Sequence, residues 1–186
     1  MERVGLLGKK GSGKDTLADY LVNSKGFVKY SFAKPIKDIA KILFNLSETQ
    51  LYGDRKEQVD ERWGISPRVI FQRLGTEFGQ GQIYDLFPEL KIKIKDKELW
   101  LKLFDIFLEE NKDKKHIVIA DVSFKHEIDH LKKLNFNIIK INRKDSVFDN
   151  HISEKQDDLF YDYLIDNNAS KQDLFNKYDD FIYIPF

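Results

Sequence analysis

The chain of 186 residues sets 31 Lys and Arg against 31 Asp and Glu, for zero net charge, and contains no cysteine. At that length one compact domain is expected, and 41% hydrophobic residues are too many for a disordered chain. Disulfide scaffolds, thiolate metal sites and thiol catalysis are excluded, a generally basic nucleic-acid binder is disfavoured, and no apolar run approaches the roughly 18 residues of a membrane span. The N-terminal apolar run is broken at Lys9 and Lys10, so neither a signal peptide nor a lipid anchor is expected. Neutrality hides a polarity: residues 1–144 carry 28 basic and 21 acidic side chains, and residues 145–186 carry 3 and 10. Of six arginines, Arg55, Arg62, Arg68 and Arg73 fall close together, a candidate anion site because planar guanidinium pairs well with phosphate. A solvated charged face is the alternative.

In chain order, Arg3 to Leu7 reads as a short buried strand, followed by a glycine-rich turn and a helix from Asp15 to Ser24 that buries Leu17, Tyr20 and Leu21. A strand at Phe27 to Ser31 and a helix at Ala33 to Phe44 follow, with Pro35 in its first turn. Residues 45–65 are polar and read as irregular. Ser66-Pro67 is an N-cap and first helical residue, opening a helix to Phe78 with Ile70, Phe71, Leu74 and Phe78 inward. Gly79 to Lys97 reads as an excursion or flap, and Glu98 to Glu110 as an amphipathic helix. His116 to Ala120 is a buried strand ending at Asp121. A helix over Lys125 to Leu134, strands at Asn137 to Ile141 and Tyr161 to Ile165, and a helix from Ser170 to Lys177 complete the series, with a strand-like tail at Phe181 to Ile184. Strands separated by helices predict an α/β fold, a parallel sheet with helices on both faces.

Gly8-Lys9-Lys10-Gly11-Ser12-Gly13-Lys14-Asp15-Thr16 fits G-x-x-x-x-G-K between a strand and a helix. Gly8, Gly11 and Gly13 let backbone N–H groups, with that of Ser12, converge on phosphate oxygens at a helix N-terminus, and Lys14 adds a positive charge. Asp15 stands where Ser or Thr is usual, and a carboxylate beside polyphosphate is tolerable if Mg²⁺ lies near, directly or through water. Thr16 supplies a hydroxyl, and Asp121 at its strand end a second acidic group; a plain turn residue is the alternative for Asp121. On the helix opened by Pro67, Arg68, Gln72, Gly75 and Thr76 share one stripe, suited to a phosphate and a base; an ordinary polar face is the alternative.

The segments GKKGSGKDTLAD, AKPIKD, KE with GISPRVIFQRLGTEFG, IADVSFKHE, INR, HISE and IDNNAS occur in one order from Val4 to Leu174. Together they resemble the deoxynucleoside monophosphate kinases of bacteriophages and large viruses. The resemblance implies a three-layer P-loop kinase fold: a single domain over 1–186, with acceptor-binding or lid insertions at about 45–97 and 143–158. It implies transfer of the γ-phosphate of ATP to a deoxynucleoside monophosphate with Mg²⁺. Lys14, Asp15 and Thr16 would then serve ATP and the metal, and Lys34, Arg68, Gln72, Thr76 and Glu77, with Asp121, the acceptor. Arg143 would approach the transferred group, and Asn167 and Asn168 would lie near adenine. A cytoplasmic protein acting on free nucleotides is implied, in the host cytoplasm for a viral gene, with neither nucleic-acid polymer nor membrane as partner; a homodimer is compatible. Two family arginines are replaced, by Ser123 and Gln80, which leaves Arg55, Arg62 and Arg143 as candidates for the transition state. Kinases of other small phosphorylated acceptors, phosphomevalonate or dephospho-coenzyme A, carry similar loops. A nucleotide-regulated binding protein is the competitor from another class.

Three further patterns are read as coincidental. His126-Glu127-Ile128-Asp129-His130 matches the zinc motif H-E-x-x-H, with His151 or Glu154 as conceivable third ligands, but sits in an alternating α/β pattern. Asn176-Lys177-Tyr178-Asp179 matches N-K-x-D without any D-x-x-G. Lys91, Lys93, Lys95 and Lys97 read as a soluble strand whose charges discourage edge pairing, with a nucleic-acid edge as the alternative.

Overall fold

A computed structural model describes residues 2–144, 156 and 158–182. The chain forms two compact units: Met1–Ser31 with Asn111–Phe186, and Phe32–Glu110 between them in sequence.

The first unit is an open parallel sheet. β1 (Glu2–Leu7) leads into α1 (Lys14–Lys25) and β2 (Val28–Tyr30). After the second unit come β3 (His116–Val122), α8 (Lys125–Lys133), β4 (Asn137–Asn142), β5 (Tyr163–Asp166) and α9 (Lys171–Ile182). The strand order is β2-β3-β1-β4-β5, all parallel, so β1 is central and the order reverses around it. The apolar run of β1 reflects burial on both faces. Val4 and Leu6 join Leu17 and Leu21 of α1 and Leu174 and Tyr178 of α9 in one core. The opposite face is covered by α8: a Cβ on Gly5 would meet Ile138, Val122 and Leu131. Tyr20, expected in the core, is half-buried, stacking on Phe175 at 4.1 Å with its hydroxyl donating to Asp179 at 2.7 Å.

The second unit is helical. α2 (Ala33–Phe44) is the expected helix. The stretch expected to be irregular contains α3 (Glu48–Leu51) and a 3-10 turn at Asp54–Glu57. Asp60 pins this stretch: it accepts from Gln50 Nε2 at 2.7 Å and from Arg62 Nη2 at 2.6 Å, and its backbone pairs with Ile65. α4 (Pro67–Arg73) opens as expected on Ser66, whose Oγ accepts from the Val69 N–H. It does not continue as α-helix to Phe78. Leu74–Gln82 widens into a π-helix, followed by α5 (Ile83–Leu86) and α6 (Leu90–Lys93). The cause lies on α7 (Leu99–Glu110), where the buried Trp100 indole presses against the helix. Its N–H donates to the Gly75 carbonyl at 2.8 Å, and a Cβ on Gly79 would fall 2.2 Å from the ring. A side chain that takes a carbonyl out of the i→i+4 ladder widens the turn.

Gly79 to Lys97 is therefore helical in part rather than a flap. Tyr84, buried, ties it down by accepting from the Leu99 N–H and donating to the Lys95 carbonyl. The alternating lysines form no strand: Lys91 and Lys93 lie on α6. Nor does Phe181 begin a strand, since it lies in the last turn of α9; residues 183–186 lie outside the described residues. The same holds for most of the 143–158 insertion, His151 and Glu154 included.

Candidate active site

In the first unit the sheet gathers its polar groups at the carboxyl ends of the strands, where open α/β sheets bind ligands beside the strand at which the order reverses. Here that strand is β1, and residues 8–13 run from its end into α1. Gly8, Gly11 and Gly13 all have positive φ, at 152°, 79° and 109°. Glycine is required at Gly8 for space as well, because a Cβ there would sit 2.4 Å from the Ile141 carbonyl oxygen. A turn closes the loop, with the Ser12 N–H donating to Lys9 O at 3.1 Å, and Gly13 O starts the helix by accepting from Leu17 N. Lys14 Nζ folds back over the loop and donates to the Gly8 carbonyl and, at 3.0 Å, to that of Lys9.

This arrangement suits a polyphosphate. Positive φ turns N–H groups to one side, the N-terminal end of α1 carries partial positive charge, and the Lys14 ammonium lies against the loop. Asp15, exposed at the start of α1, has a counter-charge that the motif did not reveal. Lys29 of β2 lies 3.5 Å from Asp15 and 3.0 Å from Asp19. Burial works against the charged form of Lys29, yet its bond to Asp19 and the two nearby carboxylates outweigh this and raise its pKa.

Asp121 lies inside β3, one residue before Val122, which pairs with Leu7 at the end of β1. Its Oδ2 accepts from Ser31 Oγ at 2.7 Å. Glu127 lies beneath the same edge, buried, its Oε2 accepting from the Ser123 and Phe124 N–H groups at 2.7 and 3.0 Å. Burial pushes its carboxyl up to about 8; the charge of Asp121 adds to the rise, against the two N–H bonds that favour ionisation. Glu127 thus caps α8, which leaves the H-E-x-x-H pattern without an exposed base. The N-K-x-D residues are structural too, within α9: Asp179 binds Tyr20 and Lys25, and Lys177 binds the Asp166 carbonyl.

The asparagines after β5 differ from each other. Asn167 is buried, its side-chain amide donating to the Ser12 carbonyl at 2.8 Å, whereas Asn168 is exposed and its Oδ1 accepts from the Lys144 N–H at 2.9 Å. Arg143 is exposed just past β4.

The other expected residues lie in the second unit. Arg68 and Gln72 are half-buried on α4. Thr76 Oγ1 lies 2.5 Å from Glu77 Oε2 and 2.7 Å from the Gln72 carbonyl, so one hydroxyl links three of the expected residues. Gly75 departs from the expected stripe: it is buried, its carbonyl is bound by Trp100, and a Cβ there would fall 3.0 Å from Ile36 Cδ1. Lys34 is exposed, paired with Asp38 at 2.6 Å. Arg62 is committed to Asp60, which leaves Arg55, exposed on the 3-10 turn, and Arg143 among the transition-state candidates. Lys29 and Ser31 were missed in the sequence, and Glu127 was met there only as part of the dismissed H-E-x-x-H pattern. Ser31 had one signal, a hydroxyl directly after a strand and hence at the carboxyl edge; Lys29 had none, because its partners are remote, and the motif that contains Glu127 did not show that its partners are backbone N–H groups.

A glycine-rich loop joining the central strand of a 2-3-1-4-5 parallel sheet to the following helix, with helices on both faces, defines the P-loop kinase fold. Within it the chain belongs to the deoxynucleotide monophosphate kinase family, whose model matches residues 4–63 and 54–178. It is 36% identical over 183 residues to a protein of Acanthamoeba polyphaga mimivirus named "Putative deoxynucleotide monophosphate kinase", covering 95% of this chain and 94% of that one. Among solved structures it is similar to TT1252 from Thermus thermophilus, with 16% identity, coverage of 98% and 97%, and a TM-score of 0.47.

Proposed function

We propose that the chain transfers the γ-phosphoryl group of ATP to a deoxynucleoside monophosphate, giving the diphosphate. The supporting observation is the loop at 8–16, with three positive-φ glycines and Lys14 at the head of α1, in a chain of this family.

The first unit takes ATP. The N–H groups of residues 8–14 bind its phosphates, and Lys14 moves its ammonium from loop carbonyls to phosphate oxygens. Asn168 is the residue offered to the base. Thr16, Asp121 and Asp15 are the groups that would hold Mg²⁺, a sparse set that suits an ion which keeps several waters and binds phosphates. Held there, Mg²⁺ would supply positive charge to offset the charge that develops on the phosphates during transfer. Ser31 holds Asp121 in place for that role, and Lys29 offsets the charge of Asp15.

The second unit takes the acceptor. Arg68 and Lys34 neutralise the monophosphate, and Gln72, Thr76 and Glu77 meet the nucleoside. The acceptor phosphate is already ionised at neutral pH, so no strong general base is needed. Positioning and charge neutralisation carry an in-line transfer, with Arg143 and Arg55 as the cations for the moving phosphoryl group. Among the described residues no helix is long and apolar enough to cross a membrane. We place the enzyme in the cytoplasm, that of the host for a viral gene, as a single functional domain; sedimentation tests whether it works as a homodimer.

The test is ADP release from ATP and Mg²⁺ with a panel of deoxy- and ribonucleoside monophosphates, phosphomevalonate and dephospho-coenzyme A. Turnover is expected with deoxynucleoside monophosphates and is expected to fall by about 100-fold or more in Lys14→Ala, which removes a charge aimed at the transferred group. Turnover with another acceptor alone, or near-wild-type turnover in the folded variant, would overturn the assignment.

A further inference from the structure

Asn167 sits directly after β5, its main-chain N–H held by the Asn142 carbonyl at 2.8 Å. Its side chain leaves the strand edge and enters the phosphate loop, where Nδ2 donates to the Ser12 carbonyl at 2.8 Å in a buried contact. The residue is 6% exposed. The loop makes room for it: a Cβ on Gly13 would fall 2.4 Å from Asn167 Nδ2. Glycine at Gly13 therefore meets two demands at once, a φ of 109° and the entry of a neighbour's amide.

The bond has a directional consequence. In a planar trans peptide, C=O and the following N–H point in opposite directions. With the Ser12 carbonyl turned to Asn167, the Gly13 N–H must point away from it. Glycine on the far side of that peptide makes rotation of the unit cheap, since glycine tolerates either sign of φ. A rotated Ser12–Gly13 unit would offer a carbonyl oxygen where a phosphate needs a donor.

We propose that Asn167 is a latch on the phosphate loop, a positioning residue that holds the Ser12–Gly13 peptide with its N–H toward the nucleotide phosphates, rather than a contact to adenine. The latch rests on the reading of residues 8–16 as the ATP site and deepens it. It also makes the loop that follows β5 and the loop that follows β1 one connected piece, so that phosphate affinity depends on a residue from the opposite end of the chain.

Three probes separate the roles: ATP, inorganic tripolyphosphate, which has no base, and adenosine, which has no phosphate. Each is titrated calorimetrically into the wild-type chain, Asn167→Ala and Asn167→Asp. The aspartate keeps the shape but sets a carboxylate oxygen against the Ser12 carbonyl, so it serves if the smaller side chain prevents folding. Loss of about tenfold or more in affinity for both ATP and tripolyphosphate, with adenosine unchanged, is expected in each variant. Weakened adenosine and ATP with unchanged tripolyphosphate would overturn the latch in favour of a base contact. Equal affinities in variant and wild type would overturn it as well. A wild-type chain that binds neither ATP nor tripolyphosphate would instead overturn the ATP site itself, and the latch with it. A merely structural role would lower the thermal midpoint without separating tripolyphosphate from adenosine.

Discussion

Single side chains in this protein do most of their work by holding backbone. Asp60 is the clearest case: its carboxyl is held well below the usual carboxylate range, first by the Arg62 guanidinium and then by the Gln50 amide. A carboxyl whose pKa is depressed on folding adds stability above its unfolded pKa of about 4, and that contribution is lost as pH falls toward the folded value. Asp60→Asn is therefore expected to unfold at lower urea concentration than wild type at pH 7, with the gap narrowing steadily below about pH 4. A gap that stays constant from pH 7 to pH 3 would assign the effect to shape rather than charge. The sequence showed Asp60 and Arg62 two residues apart, but not that Gln50 would join them. That contact depends on how residues 45–65 fold back, which no local period encodes. Arg62, which the sequence offered as a candidate for the transition state, is paired with Asp60.

At the level of elements, periodicity located the strands and the longer helices, because an apolar run or a 3.6-residue stripe records which side is buried. α2 matches its expected bounds, and β3 and β4 extend theirs by one or two residues. Periodicity failed where a remote side chain sets the backbone. Between Leu74 and Phe78 the sequence continues the α-helical stripe, yet Trp100, twenty-five positions after Gly75, takes a carbonyl and widens the turn. The widened segment carries Thr76 and Glu77, both proposed to meet the acceptor. Trp100→Phe keeps an aromatic ring and removes the N–H, so the Gly75 carbonyl is left buried without its donor. The expected result is a KM for the monophosphate raised about threefold to tenfold, with the KM for ATP unchanged, measured by steady-state kinetics. Equal shifts in both constants would point to general loosening instead.

For the whole molecule, the zero net charge of the chain conceals a division of labour that follows its two units. The lysines of the phosphate loop lie in the first unit, whereas four of the six arginines lie in the second, so the two groups of cations proposed to meet anions are of different kinds. Motif spacing made the first set legible, since strand, loop and helix are contiguous. The second was legible mainly through resemblance, because a stripe of Arg68, Gln72 and Thr76 differs little from any polar helix face. Amide hydrogen exchange provides the check. ATP with Mg²⁺ is expected to slow exchange chiefly in residues 8–17 and near Ser12's partner Asn167, and a deoxynucleoside monophosphate chiefly in residues 68–77. Protection by the monophosphate confined to the first unit would remove the acceptor from α4.

Both tryptophans of the chain, Trp63 and Trp100, belong to the second unit, one half open to solvent and one enclosed. Fluorescence excited at the red edge of indole absorption therefore reports on that unit alone, without any label. Far-ultraviolet circular dichroism sees the backbone of both. Following the two signals through one denaturation curve tells directly whether the inserted unit melts with the sheet or ahead of it, since coincident transitions are the mark of all-or-none unfolding.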